Sequence, residues 1–276
     1  MLLWRRERGV GVSNAIGRKY ADAEGYDAYM GGWSAELAGP FLDFASVQDA
    51  GTIVDLGCGT ANLLAAAATA FDKARLIGID PSPALLTKAR RRPELVRATL
   101  LEGGVERIPL AADVSDFTLS LLVLQELSDR PAALAEMRRI TRPGGAVAAC
   151  QWDFARMPVI DALMTAIEAV QPSAVQSIVA NSPRAFVDED ELYTCWSNAG
   201  LVQVQTGRIT VTRTFEEFDD LWRPLLAGST PSTLTLASMS QREQLAVRES
   251  MEARFGWPVG EPLPLSAEAI VVRGLA

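Results

Sequence analysis

Val54-Asp55-Leu56-Gly57-Cys58-Gly59-Thr60-Ala61-Asn62 is the stretch on which the fold turns. Thr52 to Leu56 is a short β-branched and apolar run of strand character, and Gly57 and Gly59 follow it at once. Ala61 to Phe71 is then almost entirely Ala and Leu, the strongest helix formers. A strand, a glycine turn and a helix in 20 residues make the first half of a βαβ unit. Glycines there allow a tight turn and close approach of a ligand to the main chain. The helix that follows presents free N–H groups.

The same rhythm continues outward. Leu76 to Ile79 is a second strand ending at Asp80-Pro81, and Ser82 caps a helix through Arg91. Ala98 to Leu101 is a third strand. Phe117 to Leu124, uncharged, is a fourth, as expected for a strand covered on both faces. Asp129 caps a helix through Arg139 that Pro143-Gly144-Gly145 stops, and Ala146 to Trp152 is a fifth strand. Later come a helix at Asp188 to Gly200, a strand at Val202 to Thr214 and a last strand at Ala267 to Val272. The expected fold is α/β: a Rossmann-like, seven-stranded, mostly parallel sheet with helices on both faces. Aromatic helices over residues 20 to 47 precede it, and helical insertions at 155–187 and 215–265 serve as a lid over the substrate. Residues 20–276 read as one domain with a cofactor-binding core at 50–153. Residues 1–19, with Arg5, Arg6, Arg8, Arg18 and Lys19, read as a flexible basic tail.

Composition removes several chemistries. The chain has 276 residues, a formal net charge of −8 and no histidine, so Ser-His-Asp, Cys-His and His-ligated zinc sites are excluded. The 3 cysteines, Cys58, Cys150 and Cys195, have no CxxC spacing, and no metal site is expected. An acidic chain is a poor partner for nucleic acid. No membrane span or secretory leader is expected, and the odd, scattered cysteines fit a reducing cytosol, so the expected location is cytoplasmic; the expected state is a monomer or homodimer.

In an open parallel sheet a ligand binds beyond the carboxyl ends of the strands. Three features meet there: the glycine loop, Asp80 as a carboxylate able to grip both hydroxyls of a ribose, and Gly103-Gly104-Val105 as bare main chain for an adenine edge. A dinucleotide fingerprint needs glycine at position 62, which is Asn62, so a nicotinamide enzyme is disfavoured.

Asp55-Leu56-Gly57-Cys58-Gly59-Thr60, Gly78-Ile79-Asp80-Pro81-Ser82, Ile108-Pro109-Leu110 and the run Ala135 to Gly145 together resemble the class I S-adenosylmethionine-dependent methyltransferases. The resemblance is strongest to the small-molecule branch that includes the ubiquinone/menaquinone C-methyltransferases. It implies S-adenosylmethionine as cofactor and a small, partly hydrophobic acceptor methylated at O, N or C by in-line displacement. It places Gly57, Cys58 and Gly59 under the methionine part of the cofactor, Asp55 on its amino group, Asp80 and Pro81 at the ribose, and Gly104 and Val105 at adenine. Leu121 and Gln125 would face the sulfonium and the acceptor, and Tyr29 and Trp33 would close over the site. Trp152, Trp222 and Arg223 join Trp33 as expected acceptor-pocket residues. A general base would have to be Glu126, Asp153, Asp220 or a Tyr, with Asp153 the first expectation; Gln125 can orient an acceptor but cannot take its proton.

Three departures stand out. Ala61 replaces the family's third loop glycine, tolerable if the backbone there is helical. Gly104 stands where an Asp usually contacts the adenine amino group. Gly32 stands where a subgroup often has Arg, so another group must meet the cofactor carboxylate. These departures and the missing histidine motivate two competing readings: a non-catalytic or regulatory member of the fold, and an enzyme that uses the cofactor without transferring its methyl group.

Overall fold

The computed structural model describes residues 23–49, 51–127, 129–181, 188–257 and 260–276; the expected tail at 1–19 lies outside them. The chain opens with α1 (Ala23–Tyr26), a π-turn (Asp27–Gly31) and α2 (Gly32–Phe44). The βα units follow as β1 (Thr52–Leu56), α3 (Asn62–Ala70), β2 (Arg75–Asp80), α4 (Pro83–Ala89), β3 (Thr99–Glu102), β4 (Ser115–Leu121), α5 (Arg130–Ile140) and β5 (Thr141–Trp152). Next are α6 (Pro158–Val170), α7 (Pro172–Asn181), α8 (Glu189–Asn198) and β6 (Val202–Phe215). The chain closes with α9 (Phe218–Leu226), α10 (Pro231–Ser238), α11 (Gln241–Phe255) and β7 (Leu263–Leu275).

The seven strands form one sheet in the order β3-β2-β1-β4-β5-β7-β6. Strands β1 to β5 pair in parallel, and β7 runs antiparallel to both β5 and β6. The chain therefore builds outward from β1 to β3, then crosses back to lay β4 on the other side of β1. That reversal is the switch point at which α/β sheets open a crevice.

Alternation along β1 shows why the sheet is covered twice. Ile53 belongs to the core on one face, while Val54 and Leu56 belong to the core on the other, all at 0% exposure. The first core gathers α2, α3 and both insertions, with Phe41, Leu64, Leu163 and Leu225 fully buried. The second holds α5 and α8 against the sheet through Leu134, Met137 and Trp196. Trp196 also donates from Nε1 to the Val147 carbonyl of β5 at 3.1 Å.

Element ends differ from expectation at three places. Helix α5 stops at Ile140 and the chain is already extended at Thr141, so Pro143-Gly144-Gly145 sits in the first part of β5 beside a register shift. Strand β4 ends at Leu121 because Leu122 takes a left-handed φ of 64°. Strands β6 and β7 pair from Val202↔Leu275 to Phe215↔Leu263, which extends β7 at both ends beyond 267–272. The insertions join the main core: Val159, Leu163, Phe218, Leu225, Val247 and Met251 are buried in the same cluster as α2.

Trp196→Ala is expected to cost ~3–5 kcal/mol of stability through the cavity it leaves, and Trp196→Phe about 1–3 kcal/mol through the lost donor. Urea denaturation checks both; equal midpoints for wild type and Trp196→Phe would remove the hydrogen bond from this account.

Candidate functional site

At the switch point, a crevice opens between the carboxyl ends of β1 and β4. Its walls come from Asp55, from the loop Gly57 to Thr60, from Leu121 and Leu122, and from Ser34, Asn62 and Leu63. Sequence and geometry agree on the cause of the turn. Gly57 has φ +70°, and a Cβ there would overlap Val123 on the neighbouring strand end, so only glycine passes.

Main-chain bonds fold the loop back on β2. Gly57 N and Cys58 N both donate to the Ile79 carbonyl, at 2.7 and 3.0 Å. Asp80 completes the tie: Oδ2 accepts from Gly59 N at 2.9 Å and Oδ1 from Ser82 N at 2.8 Å. Each carboxylate oxygen retains a second lone pair for a ligand hydroxyl. Burial pushes the Asp80 pKa up, while the two amides pull it back.

Asp55 is more unusual. It is 1% exposed, and its Oδ1 is buried with no hydrogen-bond partner. Burial, with the charge of Asp80 adding to it, pushes its pKa up to about 8. A buried carboxylate without a donor is costly, and an ionised one is costlier. A ligand carrying an ammonium would supply what this oxygen lacks. Burial raises the thiol pKa of Cys58 beside it, and the charges of Asp55 and Asp80 raise it further.

The N-terminal segment locks onto this loop from above. Thr60 Oγ1 donates to Asp27 Oδ1 at 2.8 Å. Asn62 Nδ2 donates to the Gly31 carbonyl at 3.1 Å and to Ser34 Oγ at 2.8 Å, and Arg92 donates to Asn62 Oδ1. Asn62 thus does here the joining work that no glycine could do.

Ala61 corrects an expectation. Its backbone is left-handed, φ 65° and ψ 40°, not right-handed helical, so its methyl group carries strain of about 1–2 kcal/mol that glycine would not. Gly104 is open: a Cβ there would meet only Glu106 Oε2, at 3.9 Å. The Val105 side chain is buried in the second core, and Pro81 is partly exposed at the end of β2.

The remaining expected residues divide. Gln125 is 7% exposed in the turn after β4, and its Oε1 is buried without a partner; Glu126 follows it, partly exposed. Trp152, at the end of β5, is 2% exposed with Nε1 likewise unpartnered, and it meets Trp33 edge to face at 6.3 Å. Tyr29 and Trp33 line a second, small and open cavity rather than the crevice. Asp153, the first candidate base, is not among the crevice-lining residues. Its Oδ1 accepts from Ala155 N at 3.1 Å, and its Oδ2 pairs with Arg208 at 2.6 Å, so both oxygens are engaged. Trp222 packs on Phe218 in the core, while Arg223 is exposed and paired with Asp219 at 2.7 Å; the two do not share a pocket wall. Sequence reasoning missed Ser34, Thr60 and Asn62 as site residues, although Asn62 had already signalled that this loop is no dinucleotide turn.

Comparison with known proteins agrees with this geometry. Residues 54–149 match the family described as "Methyltransferase domain". The ubiquinone/menaquinone biosynthesis C-methyltransferase UbiE of Syntrophotalea carbinolica is 30% identical over 120 residues, covering 43% of this chain and 51% of that protein. The malonyl-[acyl-carrier protein] O-methyltransferase of Serratia marcescens is 33% identical over 140 residues, covering 48% of this chain and 51% of that protein. The matches thus span about half the length of these curated relatives. Among solved structures, Haemonchus contortus phosphoethanolamine N-methyltransferase 2 in complex with S-adenosyl-L-methionine superposes with a TM-score of 0.59 at 16% identity. That match covers 97% of this chain and 60% of the other.

Residues 54–149 thus match a methyltransferase domain, and they lie in a sheet of Rossmann-like strand order.

Asp55 makes the ligand-free protein sensitive to pH. Its folded pKa, about 8, lies above the unfolded value, so its contribution is complete below about pH 4 and is lost as pH rises through 8. Wild type should lose more stability between pH 6 and pH 9 than Asp55→Asn, in denaturation at each pH. Parallel losses would show that Asp55 titrates normally.

Proposed function

We propose that this protein transfers a methyl group from S-adenosylmethionine to a small, partly hydrophobic acceptor. The observation that carries the reading is the unpartnered, buried Oδ1 of Asp55 at the floor of a glycine-lined crevice. The residues present fit the cofactor. Asp55 would hold its ammonium, the main chain at Gly57 to Gly59 would lie under its amino-acid part, and Asp80 would hold the ribose with its spare lone pairs. Gly104 would leave room beside the adenine. When bound, S-adenosylmethionine supplies the electrophilic methyl and the leaving group.

The chain's own task is then alignment and exclusion of water, and orientation alone is worth ~7–11 kcal/mol. Of the three expected catalytic residues, Gln125 suits this task best. Its buried Oε1 has no partner, so an acceptor N–H or O–H would complete it and be held in register. Asp153 is better suited to capping the turn at Phe154–Arg156 and pairing with Arg208 than to removing a proton. The proposed acceptor therefore attacks without a carboxylate base from Asp153.

Titration calorimetry with S-adenosylhomocysteine tests the cofactor reading, and absence of binding at millimolar ligand would end it. Asp80→Asn should weaken binding by about 1.5–3 kcal/mol, the value of a hydrogen bond to a charged group. Gly104→Asp has space for its side chain and should tighten binding by ~0.5–1.5 kcal/mol, up to about tenfold, through a bond to the adenine amino group. An unchanged Gly104→Asp affinity would place the adenine elsewhere.

Transfer of labelled methyl from the cofactor to the small-molecule fraction of a metabolite extract tests turnover. Gln125→Ala should lower that rate about tenfold, one lost hydrogen bond, while leaving S-adenosylhomocysteine affinity within twofold. A rate equal to wild type would remove Gln125 from the acceptor site.

A further inference from the structure

Arg213, on β6, is half-buried, and among the described residues it makes no hydrogen bond or ion pair. Its guanidinium lies 5.5 Å from the Trp33 ring centre and 5.0 Å from that of Phe215. It rests against the Cα of Gly32, where any Cβ would overlap it. The bare first residue of α2 is thus what admits this cation.

The guanidinium forms part of the second cavity. Tyr29, Trp33, Phe215, Leu221 and Pro224 give that cavity mainly apolar and aromatic walls. Two carboxylates stand near. Asp220 lines the cavity from α9, but its Oδ2 accepts from Glu217 N at 3.2 Å in a capping box, and it forms no ion pair with Arg213. Glu36, a turn further along α2, is exposed and acts on Arg213 only at long range. Desolvation draws the Arg213 pKa down from the usual arginine value, as expected of a cation short of counter-charge. The cavity and the crevice flank the first turn of α2, with Trp33 on one and Ser34 on the other.

We propose that this cavity binds the acid end of the acceptor, with Arg213 as the carboxylate-binding residue and the aromatic walls taking an apolar body. An arginine that lies against two rings and makes no other hydrogen bond keeps its planar fork of donors for a planar acid, and a carboxylate matches that fork with two parallel hydrogen bonds. The neighbouring rings add attraction to the cation without competing for its donors. The acceptor class is a small monocarboxylic acid with an alkyl or aryl body. This assignment rests on the methyl-transfer reading for the acceptor's identity but not for the binding site.

The test uses the full chain saturated with S-adenosylhomocysteine and two matched probe pairs, hexanoate with hexanamide and phenylacetate with phenylacetamide. Calorimetry and the fluorescence of Trp33, assigned with Trp33→Phe, report binding. Both acids should bind at least tenfold more tightly than their amides. Arg213→Met should weaken acid binding at least tenfold with S-adenosylhomocysteine affinity unchanged, and Arg213→Lys should restore part of it. Gly32→Ala, which displaces the guanidinium without altering charge, should mimic Arg213→Met. Amides that bind as well as acids, acids that do not bind wild type, or an Arg213→Met protein with full acid affinity would each overturn the proposal. A tenfold loss of S-adenosylhomocysteine affinity in Arg213→Met would also overturn it, since the guanidinium would then serve the cofactor. Acid binding without any S-adenosylhomocysteine binding would support this site and instead defeat the methyl-transfer reading.

Discussion

The hydrogen bond from Gly59 N to Asp80 Oδ2 holds the site together. It joins the turn after β1 to the end of β2, and it does so with a carboxylate that is 5% exposed. Taking such a group out of water costs several kcal/mol unless donors replace the lost hydration. Here two main-chain amides replace it, so the loop cannot open without stranding the acid. A turn held this way is rigid before any ligand arrives, and binding then loses little to ordering.

Around that tie, the chain concentrates unsatisfied groups at one place. Asp55 Oδ1, Gln125 Oε1 and Trp152 Nε1 are buried and unpartnered, and they stand on β1, after β4 and at the end of β5. These three strands are neighbours in the sheet. Buried polar groups are normally paired, and three of the four unpartnered side-chain atoms among the described residues stand on these strands or just after them, the fourth being Ser229 Oγ. The helical N-terminal segment covers the same region through Asp27, Gly31 and Ser34, which tie it to Thr60 and Asn62. The cover and the floor of the site are therefore one hydrogen-bonded unit.

Much of this was legible in the chain itself. The strand-glycine-helix order at 52–71, the acid at the end of β2 and the alternation after it needed only local propensity and spacing, and all seven expected strands formed, although β5 starts at Thr141 and β7 runs past both expected ends. Asp55, Gly57 and Gly59, next to one another in the motif, all line the crevice. Other roles were not legible because they depend on partners distant in sequence. Asp153 ends its strand as read, but its behaviour is set by Arg208, 55 residues away. Trp222 and Arg223 are adjacent, yet a helix turns consecutive side chains to different faces, so one is core and the other solvent.

Short-range patterning, then, determined the layer architecture, the switch-point crevice and the residues that face it, because strand and helix periods and glycine turns are local properties. Only tertiary structure decided that Ala61 bends left-handed, that burial pushes the Asp55 pKa up to about 8, and that Arg213 fills the space beside Gly32. Those outcomes arise from desolvation and steric exclusion between segments far apart in the chain, and no window of sequence contains both partners.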